Sequence, residues 1–249
     1  MTPPSAGQTA QTNPDDHDSC VDEDWPVFVI SLKSATLRRA PLVAKLDRFG
    51  IPFVVHEAID GLAGLPEEYE ALIDRAHVEA VQRRRITDGE WACALSHRAI
   101  YGRVAERALP GAVVLEDDAR IGRRLATFLE GRGYSGHDLV LLDHHIAKFR
   151  LRSARRAPGP CLLLEFRKNP VLTTGYAISR RGAEYLLSQS APLRGLADWP
   201  CDITALGAVG AVPRLVGHPP FISSNSHIKA ERAAAVREAK KEGTLGRFE

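Results

Sequence analysis

Two blocks of this 249-residue chain carry residue types that could do chemistry together. The first is Glu116-Asp117-Asp118, three carboxylates directly after the apolar run Val113-Val114-Leu115. Adjacent carboxylates repel, and a hard divalent cation completed by water and a diphosphate would neutralise them. In extended backbone, residues two apart share a side, which predicts Glu116 and Asp118 facing one way and Asp117 the other. The second block is G-E-W-A-C-A-L-S-H at 89–97. On a helix, Glu90, Ala94, His97 and Tyr101 form one stripe, with Glu90 and His97 about two turns, roughly 10 Å, apart.

These blocks need elements to position them. Residues 27–32 are nearly all apolar, as in a strand covered on both faces. Residues 36–49 carry Leu37, Leu42, Val43, Leu46 and Phe49 at helical spacing, closed by Gly50. Residues 52–55 read as a second strand. Thr87-Asp88-Gly89-Glu90 has the form of a capping box and opens a helix that runs to about 108. Residues 112–115 and 138–143 are further strands, and 124–131 a helix between them. Residues 161–166 and 171–178 look like two more strands, an antiparallel addition, followed by a helix at 179–188. Strands alternating with helices in this way predict an α/β domain with a mostly parallel sheet. In such sheets ligands bind beyond the carboxyl ends of the strands, where the acidic triplet falls.

Composition bounds the rest. The chain is 44% apolar and 26% charged, with no run of about 20 apolar residues that could span a membrane. Residues 1–25 are polar and acidic and are expected to be a disordered tail. Residues 26–228 form the expected catalytic domain, and 229–249 a basic surface helix and tail. Four scattered cysteines suggest neither a zinc site nor a disulfide framework, which fits a cytoplasmic protein. Arginine dominates the bases, but no dense basic run with interleaved aromatics argues for nucleic acid.

The two blocks, in this order and spacing, resemble glycosyltransferase family 25. So do the first strand with Arg38-Arg39, Glu57-Ala58-Ile59-Asp60-Gly61, and Thr173-Thr174-Gly175-Tyr176 with Gly182-Ala183. The resemblance implies a GT-A type Rossmann-like sandwich and inverting transfer of a hexose, galactose or glucose. The donor would be a UDP-sugar and the acceptor a cell-envelope saccharide such as lipopolysaccharide or lipooligosaccharide. By that analogy Asp118 and Glu116 would bind Mn²⁺ or Mg²⁺, with Glu116 contacting ribose or metal-bound water and Asp117 nearby. Arg38, Asp60, Glu90, His97, Thr174, Gly175 and Tyr176 would line the donor site. Asp202 is the first choice for the acceptor base, with Asp198 and Asp143 as rivals, Trp199 could stack on a sugar, and His227 could be a late metal ligand. Membrane contact would be peripheral at most. Two alternatives remain. One is a non-catalytic nucleotide-sugar-binding relative. The other is a two-cation hydrolase using Asp117, Asp118, Asp143, His144 and His145. The Arg-rich stretch from 144 to 168 has no counterpart in the resemblance.

Overall fold

A computed structural model describes residues 25–196 and 198–219. The expected acidic tail, the C-terminal basic helix and His227 lie outside the described residues. The elements run in the order β1 (Val27–Ser31), α1 (Thr36–Arg48), β2 (Phe53–Glu57), α2 (Arg75–Gln82) and α3 (Asp88–Glu106). Next come β3 (Gly111–Glu116), β4 (Arg120–Ile121), α4 (Arg123–Glu130), β5 (Leu139–Leu141), β6 (Lys148–Phe149) and β7 (Arg155–Ala157). The last are β8 (Cys161–Lys168), β9 (Gly175–Ser179), α5 (Arg180–Ser188), β10 (Val209–Val212) and β11 (Val216–Gly217).

The central sheet has the order β2-β1-β3-β9-β5-β10-β8-β6, with β7 also paired to β8. Strands β2, β1 and β3 run parallel, as do β5 and β10. Strand β9 runs antiparallel to both β3 and β5, and β8 antiparallel to β10. The antiparallel addition expected from the sequence is therefore split. Strand β8 extends the sheet, while β9 is inserted into its middle.

Alternation along the strands builds two core layers. Val27 and Val29 face a layer with Leu42 and Leu46 of α1 and Leu125 and Phe128 of α4. Phe28 and Ile30 face the other way, towards Ile100 and Val104 of α3 and Ala183 and Leu186 of α5. A satellite cluster packs α2 against the start of α3 through Val78, Trp91 and Leu95. The result is helix–sheet–helix layering compatible with a GT-A arrangement. No helix among the described residues is long and apolar enough to cross a membrane.

The start of α3 follows from its sequence. Thr87 accepts a hydrogen bond from the Glu90 N–H, and the Glu90 carboxylate accepts from the Thr87 N–H. Such reciprocal capping fixes the first turn, and with it the phase of the helix face that carries His97.

Candidate active site

Strand β3 stops at Glu116 because the chain turns there. The Ala119 N–H donates to the Glu116 carbonyl at 3.0 Å, leaving Asp117 and Asp118 inside the turn. The strict alternation expected for the triplet is broken at this point, and its members divide differently from the sequence reading. Glu116 meets one set of partners, while Asp117 and Asp118 share another. The Arg38 guanidinium bridges that pair, its Nε 3.1 Å from Asp117 and its Nη2 2.7 Å from Asp118. Asp117 is buried and also accepts from the Ser31 hydroxyl at the end of β1. Burial pushes its carboxyl up to about 6, and the neighbouring Asp118 and Glu116 add to this against the pull of Arg38 and Ser31.

Glu116 faces α3 and the approach to β9. Its carboxylate accepts from the Thr173 hydroxyl at 2.9 Å and lies 3.4 Å from Nε2 of His97. His97 is enclosed, and its Nδ1 pairs with the Tyr176 hydroxyl at 3.0 Å. Burial alone would raise the Glu116 pKa, but His97, Thr173 and Arg38 together hold it below the ordinary carboxylate value. Thr174, just before β9, and Gly175 and Tyr176 at its start lie close behind Glu116. Thr174 gives its carbonyl to the Glu116 N–H, and Tyr176 is fully buried with its hydroxyl pKa raised by burial. Gly175 is closely packed, since a Cβ there would sit 3.0–3.1 Å from the Val216 side chain, which would have to yield by a few tenths of an ångström.

The remaining expected residues divide. Arg39 hydrogen-bonds Ser31 and the Leu32 carbonyl. The exposed Asp60 carboxylate accepts from the Leu62 N–H two residues on, closing its own turn. Glu90 is engaged by the Thr87 cap and by Arg84, at 2.6 and 2.8 Å, at the far end of the stripe from His97. Asp202 caps the short 3₁₀ turn Ile203–Leu206 by accepting from both the N–H and the hydroxyl of Thr204. Asp198 is closer to the triplet in its connections. It accepts from the Leu172 N–H, next to Thr173, and its charge joins that of Glu116 in raising the Cys93 thiol pKa, whose largest cause is burial. Trp199 is buried against Tyr176, with ring centroids 5.5 Å apart, and so belongs to the core.

Thr173, quoted above only as part of a motif, and Arg214 and His218, not named above, all make strong local interactions. Asp143, fully buried just beyond β5, accepts from His218 at 2.7 Å and pairs with Arg214 at 3.0 Å. His218 reaches it because β11 pairs with β4, in the register Val216 to Ile121 and Gly217 to Arg120, which brings the chain after β10 back beside the triplet turn. Asp143 and His144 are thus committed to other partners, since the His144 ring also binds the Ala211 carbonyl. Among the described residues no group of three His, Cys, Asp or Glu side chains is arranged to hold a metal, so the two-cation hydrolase arrangement is not formed. A cavity of about 440 Å³ lined by Trp25, Phe49, Phe53 and Tyr134 lies by the starts of β1 and β2, away from these carboxylates.

The result is an α/β sandwich with carboxylates and a guanidinium clustered at the carboxyl ends of its strands, the place where ligands bind in open sheets of this kind. The chain belongs to glycosyltransferase family 25 (LPS biosynthesis protein), whose sequence model matches residues 24–204. It is 30% identical over 185 residues to the lacto-N-neotetraose biosynthesis glycosyltransferase LgtE of Neisseria meningitidis serogroup B, covering 69% of this chain and 62% of that protein. A putative glycosyltransferase of Haemophilus influenzae is 26% identical, covering 64% of this chain and 56% of the relative. Procollagen galactosyltransferase 1 of Danio rerio is 30% identical, covering 68% and 29%. The matched part therefore spans less than two thirds of the length of each of these relatives.

Proposed function

We propose that this protein is a glycosyltransferase that moves a hexose, galactose or glucose, with inversion from a UDP-sugar to a cell-envelope saccharide of the lipopolysaccharide or lipooligosaccharide type. The observation that carries the reading is the Arg38 bridge across Asp117 and Asp118 at the carboxyl end of β3. Two carboxylates already gripping one cationic group have the donor chemistry for a hard divalent cation, Mn²⁺ or Mg²⁺. In this reading Asp118 and Asp117 hold the ion, and the donor diphosphate and water complete its coordination. Glu116, engaged by Thr173 and His97, is not part of that donor set. When bound, such an ion takes up negative charge on the departing diphosphate.

The chain's own residues supply the rest. Arg38 presents a guanidinium whose Nη1 neither carboxylate uses, and it is placed to meet a phosphate. Glu116 stays ionised through neutral pH and accepts a hydroxyl hydrogen bond from the donor. Inversion requires a carboxylate to take the acceptor proton on the sugar face opposite the diphosphate. Asp198 is the better candidate, because Asp202 is occupied as a cap. The acceptor class rests on the printed functions of the bacterial relatives, and the site of action is the cytoplasmic side of the membrane, with peripheral contact.

The test is thermal unfolding with UDP, GDP and nicotinamide nucleotides, each with and without Mn²⁺, followed by UDP release from UDP-galactose and UDP-glucose. Ligand stabilisation follows RT ln(1 + [L]/Kd). A response to UDP that grows with Mn²⁺, plus turnover of one UDP-hexose, is expected. Stabilisation by GDP alone would overturn the donor assignment, and binding without turnover would make the chain a nucleotide-sugar-binding relative.

A further inference from the structure

The charge of the described chain is concentrated at one sheet edge. Residues 25–219 contain 27 Lys and Arg against 21 Asp and Glu. The stretch 146–168 contains seven Lys and Arg against the single acid Glu165, so this edge accounts for the whole surplus and the remainder balances. The stretch folds as β6, a 3₁₀ turn at Leu151–Ser153, β7 and β8, with β6 and β7 both paired along the outer side of β8. All seven cationic side chains are exposed, and only Arg150 has an acidic partner among the described residues, Glu165 at 3.8 Å.

Set among these cations are aliphatic side chains that the fold leaves in solvent. Leu151, on the turn between β6 and β7, is 80% exposed, and Ile146 is 64% exposed. The aromatics of the flap point the other way. Phe149 and Phe166 stack on each other and pack edge-on against His144, over Gly210. A single-stranded nucleic acid site needs outward aromatics for base stacking, and this surface offers none. Exposed aliphatic side chains interspersed along the same stretch with exposed Lys and Arg instead match the boundary between anionic headgroups and acyl chains.

We propose that the β6–β8 flap is a docking surface for an anionic phospholipid bilayer. In this arrangement Arg152, Arg155, Arg156 and Arg167 contact headgroup phosphates, and Leu151 enters the acyl boundary. The inference does not depend on the transferase reading, because it concerns binding rather than turnover. Its position does bear on that reading. Register places Arg156 opposite Leu162, itself opposite Val212 at the carboxyl end of β10, which is the end of the sheet that carries the acidic triplet. A bilayer on the flap would lie on the side from which a lipid-linked acceptor must come.

The experiment is flotation of the full chain with phosphatidylcholine vesicles containing ~25% phosphatidylglycerol, in low salt. Wild-type protein should float with these vesicles and not with pure phosphatidylcholine. The triple variant R152E/R155E/R156E should bind about tenfold or more weakly. Leu151→Ser, which leaves every charge in place, should weaken binding about threefold or more. Excess inorganic phosphate at constant ionic strength should leave flotation unchanged. Flotation of the triple variant equal to wild type would overturn the proposal. So would displacement by inorganic phosphate, which marks a free-phosphate site, or capture of RNA oligonucleotides in preference to the vesicles. Unfolding midpoints matching wild type verify that the variants fold, and UDP release with a short soluble acceptor should be unchanged in them. Loss of that activity alone would concern the transferase reading and not the docking surface.

Discussion

Nε2 of His97 lies 3.4 Å from the Glu116 carboxylate while its Nδ1 is held by the Tyr176 hydroxyl at 3.0 Å, so one buried imidazole ties α3 to the ends of both β3 and β9. At 3.4 Å the contact is long, and that nitrogen has no hydrogen-bond partner among the described residues. His97 is thus a positioning residue for Glu116. His97→Ala removes a main influence holding the Glu116 pKa down and leaves burial, which raises it. A depressed carboxyl loses its charge only as pH falls through its lowered value. The acidic limb of the rate profile should therefore move to higher pH in the variant. An unmoved limb would mean that Glu116 does not titrate in the rate.

Asp117 has the opposite sign. Its carboxyl is raised from 3.8 to about 6, so the stability of its protonated form is full in acid and is lost as pH rises through about 6. Asp117→Asn should be more stable than wild type at pH 7.5 in the presence of EDTA, by up to about 2 kcal/mol. The gain should vanish below about pH 4, where both forms are neutral. Thermal unfolding across that range checks it, and a loss of stability at pH 7.5 would show that the Arg38 pairing outweighs burial.

The two candidate bases separate cleanly. Asp202→Asn keeps a side-chain oxygen able to cap the exposed turn, so it should cost well under about 1 kcal/mol, with kcat within about twofold of wild type. Asp198→Asn should lower kcat by about 10²-fold or more with little change in unfolding midpoint. Steady-state UDP release on both variants decides it. The reverse pattern would return the role to Asp202.

Gly175 tests how tightly the wall behind Glu116 is packed. Its Cβ position lies 3.0–3.1 Å from three atoms of the Val216 side chain. Gly175→Ala should destabilise by about 1–2 kcal/mol through overpacking. Adding Val216→Ala should recover part of that loss, a coupling that a double-mutant cycle in denaturant would read. Additive losses would show that Gly175 serves some purpose other than clearance for Val216.

How much of this was legible in the sequence depended on whether the signal was local. Strands β1 and β3, helices α1 and α5, and the start of α3 at Thr87 were readable because apolar runs and caps act within a few residues. Strand β10 was not. Val-Gly-Ala-Val is short and weakly β-prone, and it is held by β5 and β8 from far along the chain. The insertion of β9 between β3 and β5 was hidden for the same reason. At the site, the triplet and His97 stood out as residue types in a fixed order. The bridging role of Arg38 depends on a contact 80 residues away along the chain. His218 meets Asp143 only because two two-residue strands pair, and so short a pairing leaves no pattern to find.

The reversed direction of β9 has a mechanical consequence. Its entry, not its exit, borders the carboxylates, so the segment feeding it must arrive there from β8, at the basic edge of the sheet. Only four residues separate Lys168, the last of β8, from Thr173, whose hydroxyl holds Glu116. Asn169 anchors that short tether by gripping the Cys201 carbonyl and the Ile203 N–H. A load applied to the rim of the sheet thus has a short covalent route to the carboxylate at its centre.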